Sequence, residues 1–202
     1  MPKPVLDHAT TAAPRAPDTS YAYKASLIGA AHRFELTDDG LSWRTGGRSG
    51  LCRYLDIAAI RLSYRPVSMQ SRRFRTDIEC ADGQRIVVLS TSWQTAALMA
   101  PQDRDYRAFL TQLHERMAKG GSRAMLIGGI GPTSYAAGVA LSALVGVAIA
   151  GLLLRSIATG EWAGALFLVG FAVLFAWQIG GFIGRNRPRT YTFDQLPQGL
   201  LP

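Results

Sequence analysis

Lysine, histidine and cysteine are scarce in this chain of 202 residues, which holds three Lys, three His and two Cys. His8, His32 and His114, with Cys52 and Cys80, fit no zinc-ligand spacing, so no metal is expected. Cys52 and His114 would be the only pair for nucleophilic catalysis, but an isolated Cys in a strand is ordinarily a small core residue. Gly128-Gly129-Ile130-Gly131 follows no strand and precedes an apolar helix, which excludes a phosphate or dinucleotide loop and makes it the flexible approach to that helix. No catalytic residue and no cofactor is therefore expected. A cleavable leader is missing too: Met1 to Ser20 carries Pro2, Pro4, Pro14 and Pro17 but no apolar run, and residues 1–22 read as a disordered tail.

Charge is absent from two long stretches. Tyr135 to Leu154 is uncharged over 20 residues and Trp162 to Ile183 over 22. At about 1.5 Å per residue each can cross a hydrocarbon core of about 30 Å as a helix. Spans are expected at 133–155 and 162–184, with the loop 156–161 reversing the chain between them and a tail over 185–202. Charge is instead concentrated in residues 1–123, which hold 18 of the 22 basic and 12 of the 14 acidic residues, a net of +6. Basic residues also flank the hairpin unequally. Arg116, Lys119 and Arg123 precede it and Arg185, Arg187 and Arg189 follow it, against Arg155 alone in the loop. The positive-inside bias places both termini in the cytoplasm of a two-pass protein of a bacterial inner membrane. In that reducing compartment Cys52 and Cys80 are expected as free thiols.

Between Ala31 and Ser92 the apolar residues alternate with polar ones. Phe34 and Leu36 lead to Asp38-Asp39-Gly40, Leu41 and Trp43 to Gly46-Gly47, and Ile60, Leu62 and Tyr64 to Pro66. Phe74, Ile78 and Cys80 precede Asp82-Gly83, and the continuous run Ile86 to Leu89 suggests a strand buried on both faces. The period then becomes helical, with Tyr106, Phe109, Leu110, Leu113 and Met117 on one face and Gly120-Gly121 as the stop. Asp103 and Asp105 suit the start of that helix.

This order of strands, with FELTDDGLSWR, then YLDIAAIRLSY, then IECADGQRIVVL and a closing helix, resembles the small bacterial pleckstrin-homology-like (PH-like) membrane proteins. The resemblance covers about residues 31–118. It implies an α+β fold: an antiparallel PH-like β meander or barrel of about six to seven strands with one C-terminal amphipathic helix, followed by the two-helix transmembrane hairpin. The domain is expected over 23–121 and a flexible linker over 122–132. Those proteins are often tied to transmembrane helices and mostly lack an assigned activity, so the resemblance implies a fold more than a function.

Two sets of residues stand out as sites. Arg61 and Arg65 share one face of a strand and Arg73 and Arg75 share a face of the next, an arrangement that offers lipid-headgroup contacts worth about 1 kcal/mol per Arg at an anionic leaflet. Asp77 and Glu79 on the same face argue for an ordinary solvated surface instead. In the hairpin, Gly138, Ser142, Gly146 and Ala150 recur every fourth residue, as do Ala172, Ala176, Gly180 and Gly184, which suggests transmembrane packing on small side chains. The other helix of the hairpin is the simplest partner, and a homo-oligomer or another membrane protein the next. Gln178 is the one strongly polar side chain deep in either helix and reads as structural glue. Nucleic acid is not expected, because the aromatic residues alternate toward the core. The expected function is a non-enzymatic interaction or scaffolding module at the membrane surface, the alternative being an accessory subunit of a transporter or lipid-handling complex.

Overall fold

The computed structural model describes residues 19–66, 72–95 and 98–202. The expected tail of 1–22 lies outside these up to residue 18, but its last residues are ordered. Ser20–Tyr23 forms strand β1, paired antiparallel with β2 (His32–Leu36). Tyr21 and Tyr23 face inward, and their hydroxyls donate to the Leu89 and Val87 carbonyls at 2.6 and 2.8 Å. Two buried rings with satisfied hydroxyls make a strand of a segment whose preceding prolines suggest only coil.

β3 (Gly40–Thr45) and β4 (Arg48–Arg53) complete a four-stranded antiparallel sheet in chain order. β5 (Ile57–Tyr64), β6 (Phe74–Cys80) and β7 (Arg85–Leu89) form the meander of a second sheet. β8 (Thr91–Thr95) and β9 (Leu98–Pro101), a pair without a clear sequence signal, form a small separate ribbon. Among the described residues the strands make three sheets, and none of them closes into a barrel. β7 alternates between buried and half-exposed residues, so the run Ile86 to Leu89 is covered on one face and not on both.

Helix α1 (Asp103–Lys119) lies where the 3.6-residue period predicts it, with Tyr106, Phe109, Leu110, Leu113 and Met117 all fully buried. They join Phe34, Leu41, Ile60, Leu62, Ile78 and Val88 in one core between the sheets.

The segment 122–132 is not a flexible linker. Met125–Gly128 is strand β10, parallel to β5 in the second sheet, and β11 (Arg189–Thr190) pairs with its other edge to give the order β11–β10–β5–β6–β7. The chain after the hairpin thus returns into the domain it left. Leu200 and Leu201 reach the core, Tyr191, Phe193 and Leu196 pack against it, and Arg107 donates to the Pro202 carbonyl oxygen. Of residues 185–202, expected as a tail, those after α3 pack into the domain that precedes the hairpin.

α2 (Pro132–Ala158) and α3 (Trp162–Arg185) are the two long apolar helices. Both are long and apolar enough to span a bilayer, and their lengths agree with the uncharged stretches read from the sequence. Cys52 and Cys80 are not free thiols. They are inward residues of β4 and β6, their Cα atoms 6.4 Å apart, and a disulfide joins them across the two sheets. That separation is within the range a disulfide spans, which strand periodicity alone does not reveal.

A candidate membrane-facing arginine surface

The site is built where the hairpin meets the second sheet. β10 runs parallel to β5 and extends its pairing one step further, with the Gly129 N–H donating to the Leu62 carbonyl at 2.7 Å. Gly129 has φ of +90°, and a Cβ there would overlap the Asn186 and Arg187 carbonyl oxygens, so only glycine lets the two chain segments approach. Ile130 N–H donates to the Asn186 carbonyl at 3.1 Å.

Asn186 itself stands in for a strand. Its Oδ1 accepts from Tyr64 N–H at 2.9 Å, and its Nδ2 donates to the Tyr64 carbonyl at 2.8 Å and to the Phe182 carbonyl at 3.2 Å. The side chain is fully buried, so these bonds form away from water, where leaving a polar group unpaired is costly. The Arg185 guanidinium carbon lies 4.9 Å from the Tyr64 ring centroid, within cation–π range. Both ends of the hairpin are thereby fastened to the Tyr64 end of β5. The stretch expected as a flexible approach, Gly128 to Gly131, is a rigid joint.

The four arginines share the outer face beside this joint. Arg61 pairs in register with Asp77 and Ser63 with Arg75, while Arg65 N–H donates to the Arg73 carbonyl at 2.8 Å. Arg61 also reaches the start of α2, its Nη1 3.7 Å from where a Cβ on Gly131 would lie. The four differ in what holds them. Arg75 is committed to Asp77, its Nε within 3.0 and 2.9 Å of the two carboxylate oxygens and its Nη2 2.5 Å from one. Among the described residues Arg61, Arg65 and Arg73 form no ion pair. Arg73 is the least comfortable: it is half-buried, and its Nε has no acceptor among the described residues. Burial first, then Arg75 and Arg65, lower its pKa. Arg185 and Arg187 add exposed positive charge from the hairpin side.

The small-residue positions divide. Gly138, Ser142 and Ala172 lie on the less exposed seam between α2 and α3, with Tyr135, Val145, Ile149 and Leu153 on one side and Ala165, Leu168, Phe175 and Ile179 on the other. Gly146, Ala150, Ala176, Gly180 and Gly184 are exposed. A Cβ on Gly146, Gly180 or Gly184 would meet nothing within 4 Å. The reason is angular. At about 100° per residue, a step of four drifts by about 40°, so a strict four-residue strip leaves a seam whose steps alternate between three and four. Gln178 is also exposed and bridges no helix within the hairpin.

The remaining chemistry-bearing residues are engaged. The Cys52 sulfur is bonded to Cys80, and His114 is buried in contact with the Leu110 carbonyl and the Tyr191 hydroxyl. Among the described residues no group of three or more His, Cys, Asp or Glu is placed to hold a metal ion. No protein-family model, curated protein or solved structure matches the chain.

Proposed function

We propose that this is a two-pass protein of a bacterial inner membrane whose PH-like domain is a non-enzymatic interaction or scaffolding module held against the anionic leaflet. The observation that carries the reading is Arg73, a half-buried guanidinium with an unpartnered Nε, flanked by Arg65 and Arg75 at the joint where the hairpin leaves the domain. A lipid phosphate against this face would relieve the like-charge crowding. The antiparallel runs β1 to β4 and β5 to β7, with one amphipathic helix after them, support the PH-like assignment. Because residues 189–202 pack into the domain, the domain and the chain after the hairpin share one side of the membrane. The flanking basic residues favour the cytoplasm as that side. The Cys52–Cys80 bond favours an oxidising compartment instead, but the flanking charges act on the chain during insertion, before it folds, and so carry the orientation.

Hydrogen exchange of the full chain in nanodiscs tests the lipid contact. Segment 72–75 is expected to exchange more slowly in anionic than in neutral nanodiscs, with the difference lost at high salt and in an Arg65→Gln/Arg73→Gln variant. Equal exchange in the two lipids would reduce the arginines to a solvated face. A reporter fused after Pro202 tests the orientation, and its activity on the far side would reverse it.

A second reading rests on the outward strips. Gly146, Gly180 and Gly184 face open space and would let another helix approach closely, as in an accessory subunit of a transporter or lipid-handling complex. A multi-span protein that co-purifies in mild detergent favours this reading, and a homo-oligomer favours the first.

A further inference from the structure

At the other end of β6 the β3–β4 turn approaches the β6–β7 turn, and between them lies a cleft of about 480 Å³ lined by Trp43, Thr45, Arg48, Asp82, Gln84 and Arg85. β6 has seven residues, so this end stands about 20 Å along the strand from the Tyr64–Phe74 pair at the membrane joint. The cleft therefore lies at the end of β6 remote from the hairpin joint.

Its polar groups are mostly donors. Trp43 is 5% exposed, and its indole Nε1–H has no acceptor, although a buried donor of this kind ordinarily has one. The indole lies across Gly50, the residue opposite Trp43 in β4, where a Cβ would come 2.6 Å from the ring. Arg48 is exposed and in no ion pair among the described residues. Arg85 meets Glu79 only at 3.8 Å, with both side chains largely exposed. Asp82 is the one acid in the lining, and its Oδ1 accepts from the Gln84 N–H at 2.9 Å. Two loosely held guanidinium groups facing a cleft with a single acid have the chemistry of an oxyanion site.

We infer that this cleft binds a small soluble oxyanion, a phosphate- or carboxylate-bearing solute, with Arg48 and Arg85 as the charged flanks and the Trp43 indole as the adjoining wall that reports its arrival. The volume suits a ligand of a few to a dozen heavy atoms and excludes a folded partner. The site and the arginine face at the joint are separate, at opposite ends of β6.

The test uses full-length ¹⁵N-labelled protein in detergent micelles, with the Trp43 indole resonance assigned by its loss in Trp43→Phe. Inorganic phosphate and glycerol 3-phosphate are titrated at constant ionic strength against chloride. A saturable shift of the Trp43 N–H is expected, while the indoles of Trp93, Trp162 and Trp177 stay in place. Arg48→Gln/Arg85→Gln, which leaves the core intact, should weaken the shift at least tenfold. The inference is overturned if neither probe moves the Trp43 N–H, if chloride moves it equally, or if the double variant responds like the parent. It is overturned in its solute class if nanodisc-embedded protein recruits anionic vesicles through the same two arginines and ignores both soluble probes.

Discussion

His114 is fully buried between α1 and the chain that follows the hairpin. Nδ1–H donates to the Leu110 carbonyl at 2.7 Å, since a carbonyl can only accept, which leaves Nε2 to accept from the Tyr191 hydroxyl at 3.0 Å. The Nε2 bond needs the neutral ring, and burial lowers the pKa below its ordinary value of 6.5 despite the Leu110 bond, which suits the imidazolium equally. The folded state then binds fewer protons than the unfolded state in acid. The stability His114 contributes is complete above about pH 6.5 and is lost as pH falls toward the depressed folded value. The melting temperature should therefore fall between pH 7 and pH 5, and His114→Phe should flatten that part of the profile. The same variant should cost about 1–3 kcal/mol at pH 7, because the buried Tyr191 hydroxyl loses its acceptor. An unchanged pH profile in the variant would remove His114 as the titrating group. Gly50→Ala offers a second test at this scale. Its Cβ would meet the Trp43 ring at 2.6 Å, and overpacking of that kind costs about 1–3 kcal/mol in chemical denaturation.

Among the elements, the joint and the hairpin seam make distinguishable claims. Asn186→Ala leaves the Tyr64 N–H and carbonyl unpaired where β5 meets α3, and should loosen the joint while leaving the hairpin paired. Hydrogen exchange should rise at Tyr64 and Ile130 and stay constant in α2 and α3. Within the hairpin, Ala165 is 7% exposed whereas Gly146 faces open space. Ala165→Leu should destabilise the detergent-solubilised protein by about 1–3 kcal/mol, and Gly146→Leu should leave the monomer unaffected. A loss of oligomer in Gly146→Leu alone would assign the outward strip to contacts between molecules. Equal melting of both variants and the parent would dismiss the seam.

At the scale of the whole molecule, the chain leaves the domain through β10, crosses the hairpin, and closes the core on its return. Leu200 is fully buried, and Leu200→Ala should cost about 2–5 kcal/mol in domain stability. Deleting residues 197–202 removes Leu200 and Leu201 together with the Arg107 contacts to Gln198 and Pro202, and should make α1 sensitive to limited proteolysis. The disulfide ties β4 to β6 over a sequence separation of 28, and by loop entropy is worth about 3–4 kcal/mol. Reduction should lower the melting temperature, and alkylation without reductant should label neither cysteine.

Whereas the weak strand read at Leu51 to Asp56 is β4 at Arg48–Arg53 followed by a single 3-10 turn, periodicity and hydropathy alone identify the two long apolar helices, the strands β2, β3 and β5 to β7 and the buried face of α1. Each is a local pattern set by about 100° per residue in a helix and alternation in a strand. The arginines of the outer face are legible in the same way, because strand alternation puts Arg61 with Arg65 and Arg73 with Arg75. What occupies each arginine is not. Only the folded chain shows that Asp77 takes Arg75 and that Arg73 Nε has no acceptor. The Cys52–Cys80 contact, the Asn186 bridge, strands β10 and β11 and the Leu200–Leu201 plug all join residues far apart in sequence. Asn186 and Tyr64, for instance, are separated by 122 positions. No local period encodes such pairs, since each forms only when packing brings two surfaces together and pairs what would otherwise be buried unsatisfied.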